Sequence, residues 1–568
     1  MRNNRRAFCR SGAALLALLL LTACSDKSET VKTNAVKPEV ASEKHLRIGI
    51  GQFPGTRPLG YAGYISGFIL RGMTTFDDKD KVFCTLCTTL PSFENGLAVL
   101  NQKANGETDI SQTFHIHPEA RWGDGSHITS EDFKLRWEVG RDKSTGHRAH
   151  GYYIQFSRFE IIDDKTFVLH SAEDGYHYQD HRPLKPLNAR LERAIFERDP
   201  KTYLDNSYYS AEPANPALWN GPYVITKMTL GDELVMERNP HWYGKQPYFD
   251  KITIRAIENS AALEANLVSG TIDMIAGGAG GLQIDQAISF EKRHGEKFNI
   301  FYAHGVLLER LLVNMDNPIL SDKRVRKALL YALDRQQISE QLFDGKQPVG
   351  HERYIRYNKP VPEGVHKYDY DKSRAIALLE EAGWTEIRGG IRYNNKGEPL
   401  QLELGGASGD KTRDLIRQAI QSYWRDVGVD LRLTTQTQRV FFGQTVRKRK
   451  FPGLALGAVG YSPHHLYKHR YHSESIPSDE NGFSGMNHGG YRNAQVDELV
   501  IAHLLELDAQ KYHQMTRAIQ SILTDELPDI PLFWRPKIHV LPLGLKGFRA
   551  SGHITPCSVW VEDWSMEP

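Results

Sequence analysis

The sequence predicts an α/β fold, and three observations carry that prediction. Apolar residues alternate at period two in short runs, the pattern of half-buried strands. Other runs set apolar residues at i, i+4, i+7 and i+8, one face of a helix. The two kinds of run follow one another from about residue 45 onward, separated by glycine and proline.

In chain order, His45-Leu-Arg-Ile-Gly-Ile50 reads as an opening strand, followed by a Gly/Pro-rich segment, 51–63, that contains Tyr61. Ile110 and Thr113–Ile116 alternate as a strand; the chain turns at Gly123-Asp-Gly125 and enters a helix near Thr129. Thr129, Ser130, Glu131 and Asp132 put hydroxyls and acids in its first turn, where they satisfy free N–H groups and suit the helix dipole. Asp163–His170 is a turn and a short strand. Asn220–Ile225, Glu233–Arg238 and Ile252–Ile257 lead three more strands, and a helix from about Ala261 stops at Gly270. Further on, Val325, Leu329, Ala332 and Leu333 stripe one helix, and Ala375, Leu378, Leu379 and Ala382 another. Leu415, Ile416, Ala419, Ile420 and Tyr423 stripe a third, after which Val429–Leu433 switches to strand period. Tyr512, Met515, Ile519, Ile522 and Leu523 mark a last long helix, ended by Pro528. Such stripes are core rather than cofactor boxes.

The first residues belong to targeting. Arg2, Arg5, Arg6 and Arg10 precede the apolar run Ala13–Leu21, which is too short to span a bilayer as a mature helix and reads as a secretory signal. It ends in Leu21-Thr-Ala-Cys24, similar to the bacterial lipobox, so Cys24 is the expected lipidation site and 1–23 the signal peptide. Residues 24–44 are polar, without aromatics, and read as a lipid-anchored tether. Over the full chain Lys+Arg 71 faces Asp+Glu 69; subtracting the four signal arginines leaves 67 against 69, or −2. A nearly neutral body argues against nucleic acid as partner.

Three cysteines remain. The Cys84-Thr-Leu-Cys87 spacing suits a redox motif or half a zinc site, yet no βαβ unit opens there and no second Cys/His pair follows. A structural disulfide is expected, either Cys84 with Cys87 or one of them with Cys557.

As a set, these segments resemble the family 5 extracellular solute-binding proteins of ABC importers, the oligopeptide-, dipeptide- and nickel-binding class. Gln112–Pro118 through Trp122–Ser126 to Thr129–Phe133 is similar to that family's strand, turn and helix start. Asn220-Gly-Pro-Tyr223 with Glu237–Gly244, Leu267–Met274, Arg324–Ala328 with Ala332–Arg335, Tyr368–Trp384, Ile420–Val429, Asn493–Leu499 and Asp529–Trp534 match further elements in order. The resemblance implies a two-lobed, periplasmic-binding-protein-like fold of type II, in the large class with an extra domain, joined by a hinge. It places domain I at 45–75, 220–305 and 530–568, the extra domain II at 76–219, and domain III at 306–529. Gly221-Pro222, Trp242 and Tyr243 read as folding rather than binding residues.

The resemblance also implies that the loop near 455–466 lines the ligand cleft. Peptide-binding members often carry an Asp there for the peptide's ammonium group; aligning Pro463 with their pattern puts Val459 in its place. Candidate ligand-binding residues are Tyr61, Val459, Gly460, Tyr461, His464 and His465. On a helix His465, His469 and His472 share a face, which keeps a metal reading open, though solvated surface is the expectation for His469 and His472. No Walker loop, HExxH or G-x-S-x-G elbow is present. The expected function is capture of a peptide-like solute and its delivery to an ABC permease, without chemistry or cofactor, by a monomer lipid-anchored outside a bacterial membrane. The alternatives are a receptor for a metal chelate or oligosaccharide, or a sensor or enzyme reusing the fold.

Overall fold

A computed structural model describes residues 44–51, 53, 63–102, 108–147, 149–172, 175–277, 280–351, 364–460 and 466–567. Tyr61, Tyr461, His464, His465 and Cys24 therefore lie outside the described residues.

The fold is α/β and two-lobed. One side of a ten-stranded sheet holds His45–Ile50, which lies parallel between Lys251–Ala256 and Met274–Ile275. Tyr223–Thr229 and Glu233–Arg238 extend that side as an antiparallel meander. On the other side Gln401–Ala407 lies parallel between Asp430–Gln436 and Leu454–Gly460. Two long antiparallel strands, Phe298–Val313 and Asp529–Pro542, join the sides. Val540 pairs with Ile275 on one side, and Leu307–Val313 with Leu454–Gly460 on the other. Between them the register skips from Ala303/Lys537 to Leu307/Arg535, so residues 304–306 bulge out. There the sheet narrows to these two strands among the described residues.

A separate four-stranded sheet runs in the order Ala98–Gln102, Thr108–His115, Thr166–Ser171, Phe156–Asp163. Helix Ser130–Arg141 packs on it, with Phe133 and Phe159 stacked on Phe167 at centroid distances of 5.3 and 4.7 Å. Its start follows from the sequence: the Thr129 N–H donates to Asp132 Oδ2 at 2.8 Å. The other Asp132 oxygen accepts from Ala189 N–H at 2.7 Å, so the cap also ties down the next segment. The three largest apolar cores among the described residues hold Leu46, Phe68, Ile254 and Trp564 in the first lobe, Phe114, Trp122 and Phe167 under the small sheet, and Leu311, Leu329, Ile420 and Trp424 in the second lobe.

The expected helices form as Lys323–Tyr331, Lys372–Glu381, Lys411–Arg425 and Ala509–Glu526, and Val325, Ala375, Ile416 and Ile519 are buried. Leu415 departs from its stripe and is 39% exposed. Trp242 packs as expected, and Tyr243 stacks on His117 at 4.6 Å. Cys84 and Cys87 are disulfide-bonded with Cα atoms 5.1 Å apart, while Cys557 is free and buried. No helix among the described residues is long and apolar enough to cross a membrane.

Candidate functional site

Strand direction locates the site. Met274–Ile275 runs antiparallel to Asp529–Pro542, hence in the same sense as Phe298–Val313, which travels from the first lobe into the second. Leu454–Gly460 is antiparallel to Phe298–Val313 and runs back toward the first lobe. The carboxyl ends of the parallel strands in the two lobes therefore face each other across the bulged crossing. In open α/β sheets ligands bind at such ends. Ile275 lies level with Ile300 through Val540, and Gly460 with Leu307. On the partner strand, which has no bulge there, five residues separate those levels (540 to 535), a gap of about 17 Å.

Charged residues gather on the second-lobe rim. Glu309 is 2% exposed, and its carboxylate accepts from Arg413 Nε at 2.8 Å and Nη2 at 3.3 Å. Arg535 Nη1 stands 3.6 Å from Oε2, the oxygen that also accepts from Arg413 Nη2. Burial works against the Arg413 charge, but Glu309 outweighs it and holds the guanidinium above its ordinary pKa. Arg310 Nη1 lies 3.0 Å from Asp529, to which the Tyr471 hydroxyl donates at 3.1 Å. His488, beside Arg310 and Arg470, is pushed down to about 4, first by burial and then by those cations, and stays neutral.

Of the sequence candidates, Val459 and Gly460 end the strand Leu454–Gly460. The Val459 side chain is buried against Leu308 and Trp534. The Gly460 carbonyl accepts from Arg470 Nη2 at 3.2 Å. His469 sits exposed on the short helix Leu466–Tyr471, as expected, and partial desolvation followed by the charges of Lys468 and Arg470 lowers its pKa. His472 is a correction: expected in solvent, it lies beyond the helix end, 8% exposed, where its Nδ1 accepts from Glu474 N–H at 3.2 Å and caps the next turn. The helix stops at Tyr471, so His472 does not continue the helical face of His469; His465 lies outside the described residues. No group of three His, Cys, Asp or Glu side chains suited to a metal occurs among the described residues.

Sequence reasoning missed Glu309, Arg413 and Arg535. The signal was there: Glu309-Arg310 interrupts the otherwise apolar run Val306–Val313. A charged pair inside such a strand needs partners.

Residues 107–473 match the model of the bacterial extracellular solute-binding proteins, family 5. The chain belongs to this family. Its relatives within family 5 include the oligopeptide-binding protein AppA of Bacillus subtilis, 23% identical over 97% of both chains. The nickel-binding periplasmic protein of Escherichia coli is 24% identical over 55% of this chain and 58% of its own. Among solved structures, the oligopeptide-binding protein of Thermus thermophilus, complexed with a pentapeptide, aligns with a TM-score of 0.72 at 24% identity, covering 92% of this chain and 96% of that one. NikA of Brucella suis with Fe(III)-EDTA aligns with a TM-score of 0.75 at 18% identity, covering 92% and 100%. As a family 5 protein the chain is a solute-binding protein.

Proposed function

We propose that the chain captures a peptide-like solute between its lobes and passes it unchanged to an ABC permease. The observation that carries this reading is the pair of facing strand ends across a two-stranded crossing. A gap of about 17 Å accommodates some five residues of extended chain at about 3.3 Å each, and backbone groups at strand ends suit main-chain hydrogen bonding to a peptide. The relatives named for oligopeptides support it. In this reading domain I comprises 45–75, 220–305 and 530–568, domain II 76–219 and domain III 306–529, with the hinge at the 304–306 bulge. Cys24 carries the lipid anchor, the tether 24–44 spans from membrane to body, and the protein works as a monomer outside the cytoplasmic membrane without catalysing a reaction.

A metal chelate is the second reading, supported by relatives named for nickel and Fe(III)-EDTA. Native mass spectrometry of the purified protein separates the two. A peptide-mass adduct with unaltered bonds supports the first reading; a stoichiometric metal, lost in a His464→Ala/His465→Ala variant, overturns it.

A further inference from the structure

We propose that the second lobe carries a phosphate-binding pocket of its own, set between the helices Lys323–Tyr331 and Lys372–Glu381 and away from the cleft. The group it fits is a phosphate, either a free anion or part of a lipid headgroup.

The pocket encloses about 190 Å³. Lys323, Lys327 and Tyr331 stand at i, i+4 and i+8 on the first helix and so share a face, with Arg324 beside them. The second helix brings Arg374 and Leu378, also one turn apart, and the segment before it brings Lys367 and Tyr368. The helices run antiparallel: Arg324 Nη1 donates to the Glu381 carbonyl at 2.6 Å at one end, and Asp371 N–H to the Tyr331 carbonyl at 2.9 Å at the other. Three stretches of chain thus bring five cations to one cavity, whose apolar part includes the rings of Tyr331 and Tyr368, 5.0 Å apart. No carboxylate is among the residues that line it.

The acids behind the wall do not balance these charges. Asp525 serves both Lys323, at 3.1 Å, and Lys327. Asp322 holds Arg324, and Glu381 stands 3.5 Å from Arg374. Three carboxylates therefore serve four cations, and the exposed Lys367 adds a fifth. Asp371 is engaged in capping its helix, accepting from Arg374 N–H at 2.8 Å, and Asp369 supports the charge of Arg335. An ammonium has three N–H donors, so one bond to Asp525 leaves two on each lysine. Lysine as a point charge and arginine as a planar fork both hold phosphate. A tetrahedral oxyanion takes donors from several directions, as cations on three stretches of chain provide.

The pocket lies outside the solute cleft. Leu307 is level with Gly460 and Val313 with Leu454, six residues or about 20 Å further from the crossing. Lys323 and Asp525 belong to that far end, because Asp525 shortly precedes Asp529, which pairs with Leu312.

The test is calorimetry on the whole mature chain at constant ionic strength, with inorganic phosphate and with glycerophosphoglycerol, a soluble headgroup diester. One phosphate group should bind per chain, and Lys367→Gln/Arg374→Gln should weaken it about tenfold or more. Both side chains are exposed, so this variant should fold. Lys227→Gln/Lys245→Gln removes the same charge from exposed positions of the first lobe and should bind like the unmutated chain. Tighter binding of inorganic phosphate supports the pocket and assigns it to a free anion; tighter binding of the diester supports it and assigns it to a lipid headgroup. Binding of neither probe, binding that Lys367→Gln/Arg374→Gln leaves intact, or equal weakening by the two variants overturns it.

Discussion

Glu309 is where single-residue energetics are sharpest. Its carboxylate is almost fully out of water and sustained by Arg413 and Arg535. Removing one partner of a buried ion pair leaves an uncompensated charge and costs about 3–5 kcal/mol. Glu309→Ala should therefore lower the unfolding free energy measured in urea by that amount, whereas Glu386→Ala, at an exposed pair with Arg388, should change it little. Buried histidines set the acid limit. His181 is enclosed: its Nε2 lies 3.0 Å from Gln112 Oε1 and its Nδ1 2.8 Å from the Tyr152 hydroxyl, and burial pushes its pKa down to about 4. The unfolded chain takes up this proton near pH ~6.5 and the folded chain does not, so stability is unaffected above that pH and falls as pH drops toward 4. One such group amounts to about 3 kcal/mol over that span. His539 and His147, pushed to about 3, and His351 and His488, to about 4, act in the same sense. Asp132, raised to about 6 by burial, acts oppositely, because there the folded state takes up the proton first. With these histidines outweighing it, the net expectation is a melting temperature that falls between pH 6.5 and 4, and a shallower fall in His181→Gln.

At the scale of elements, the crossing depends on a close approach. A Cβ on Gly305 would sit 2.1 Å from the Arg535 carbonyl oxygen, so the bulge admits only glycine without moving the partner strand. Gly305→Val should destabilise by about 1–3 kcal/mol, read as a drop in melting temperature. This crossing also marks the limit of what local pattern reveals. His45–Ile50 and the helix after Thr129 are legible because alternation and a capping residue are properties of a few consecutive residues. Phe298–Val313, the longest strand, is not: its alternation changes phase at 304–306, and its pairing is with a segment near the far end of the chain. The order of motifs led to Val459 and Gly460 at the end of Leu454–Gly460, but side-chain direction was not legible, and Val459 packs against Leu308 and Trp534. Glu309 and Arg535 were findable as charges within apolar surroundings; their meeting with Arg413 depends on the tertiary fold.

For the whole molecule, a second contact complements the crossing. Tyr176, just past the small sheet, stacks on Tyr512 of the second-lobe helix Ala509–Glu526 at 4.6 Å, and its N–H donates to the Glu506 carbonyl at 2.6 Å. His177 Nε2 lies 2.8 Å from the Tyr512 hydroxyl. An aromatic pair of this kind is worth about 0.5–1.5 kcal/mol. Tyr176→Ala should thus shift the population toward open lobes by about twofold to tenfold, seen as a larger radius of gyration in X-ray scattering. Lobe closure itself is best followed by single-molecule FRET between dyes on Asp232→Cys and Lys396→Cys, both at exposed positions, since Cys557 is buried and Cys84 and Cys87 are bonded. With a tryptic peptide mixture added, the inter-dye distance should shorten, and the peptides recovered from the closed protein should have their original masses. A distance that stays fixed while peptide is bound, or recovered peptides that have been cleaved, would contradict capture between closing lobes.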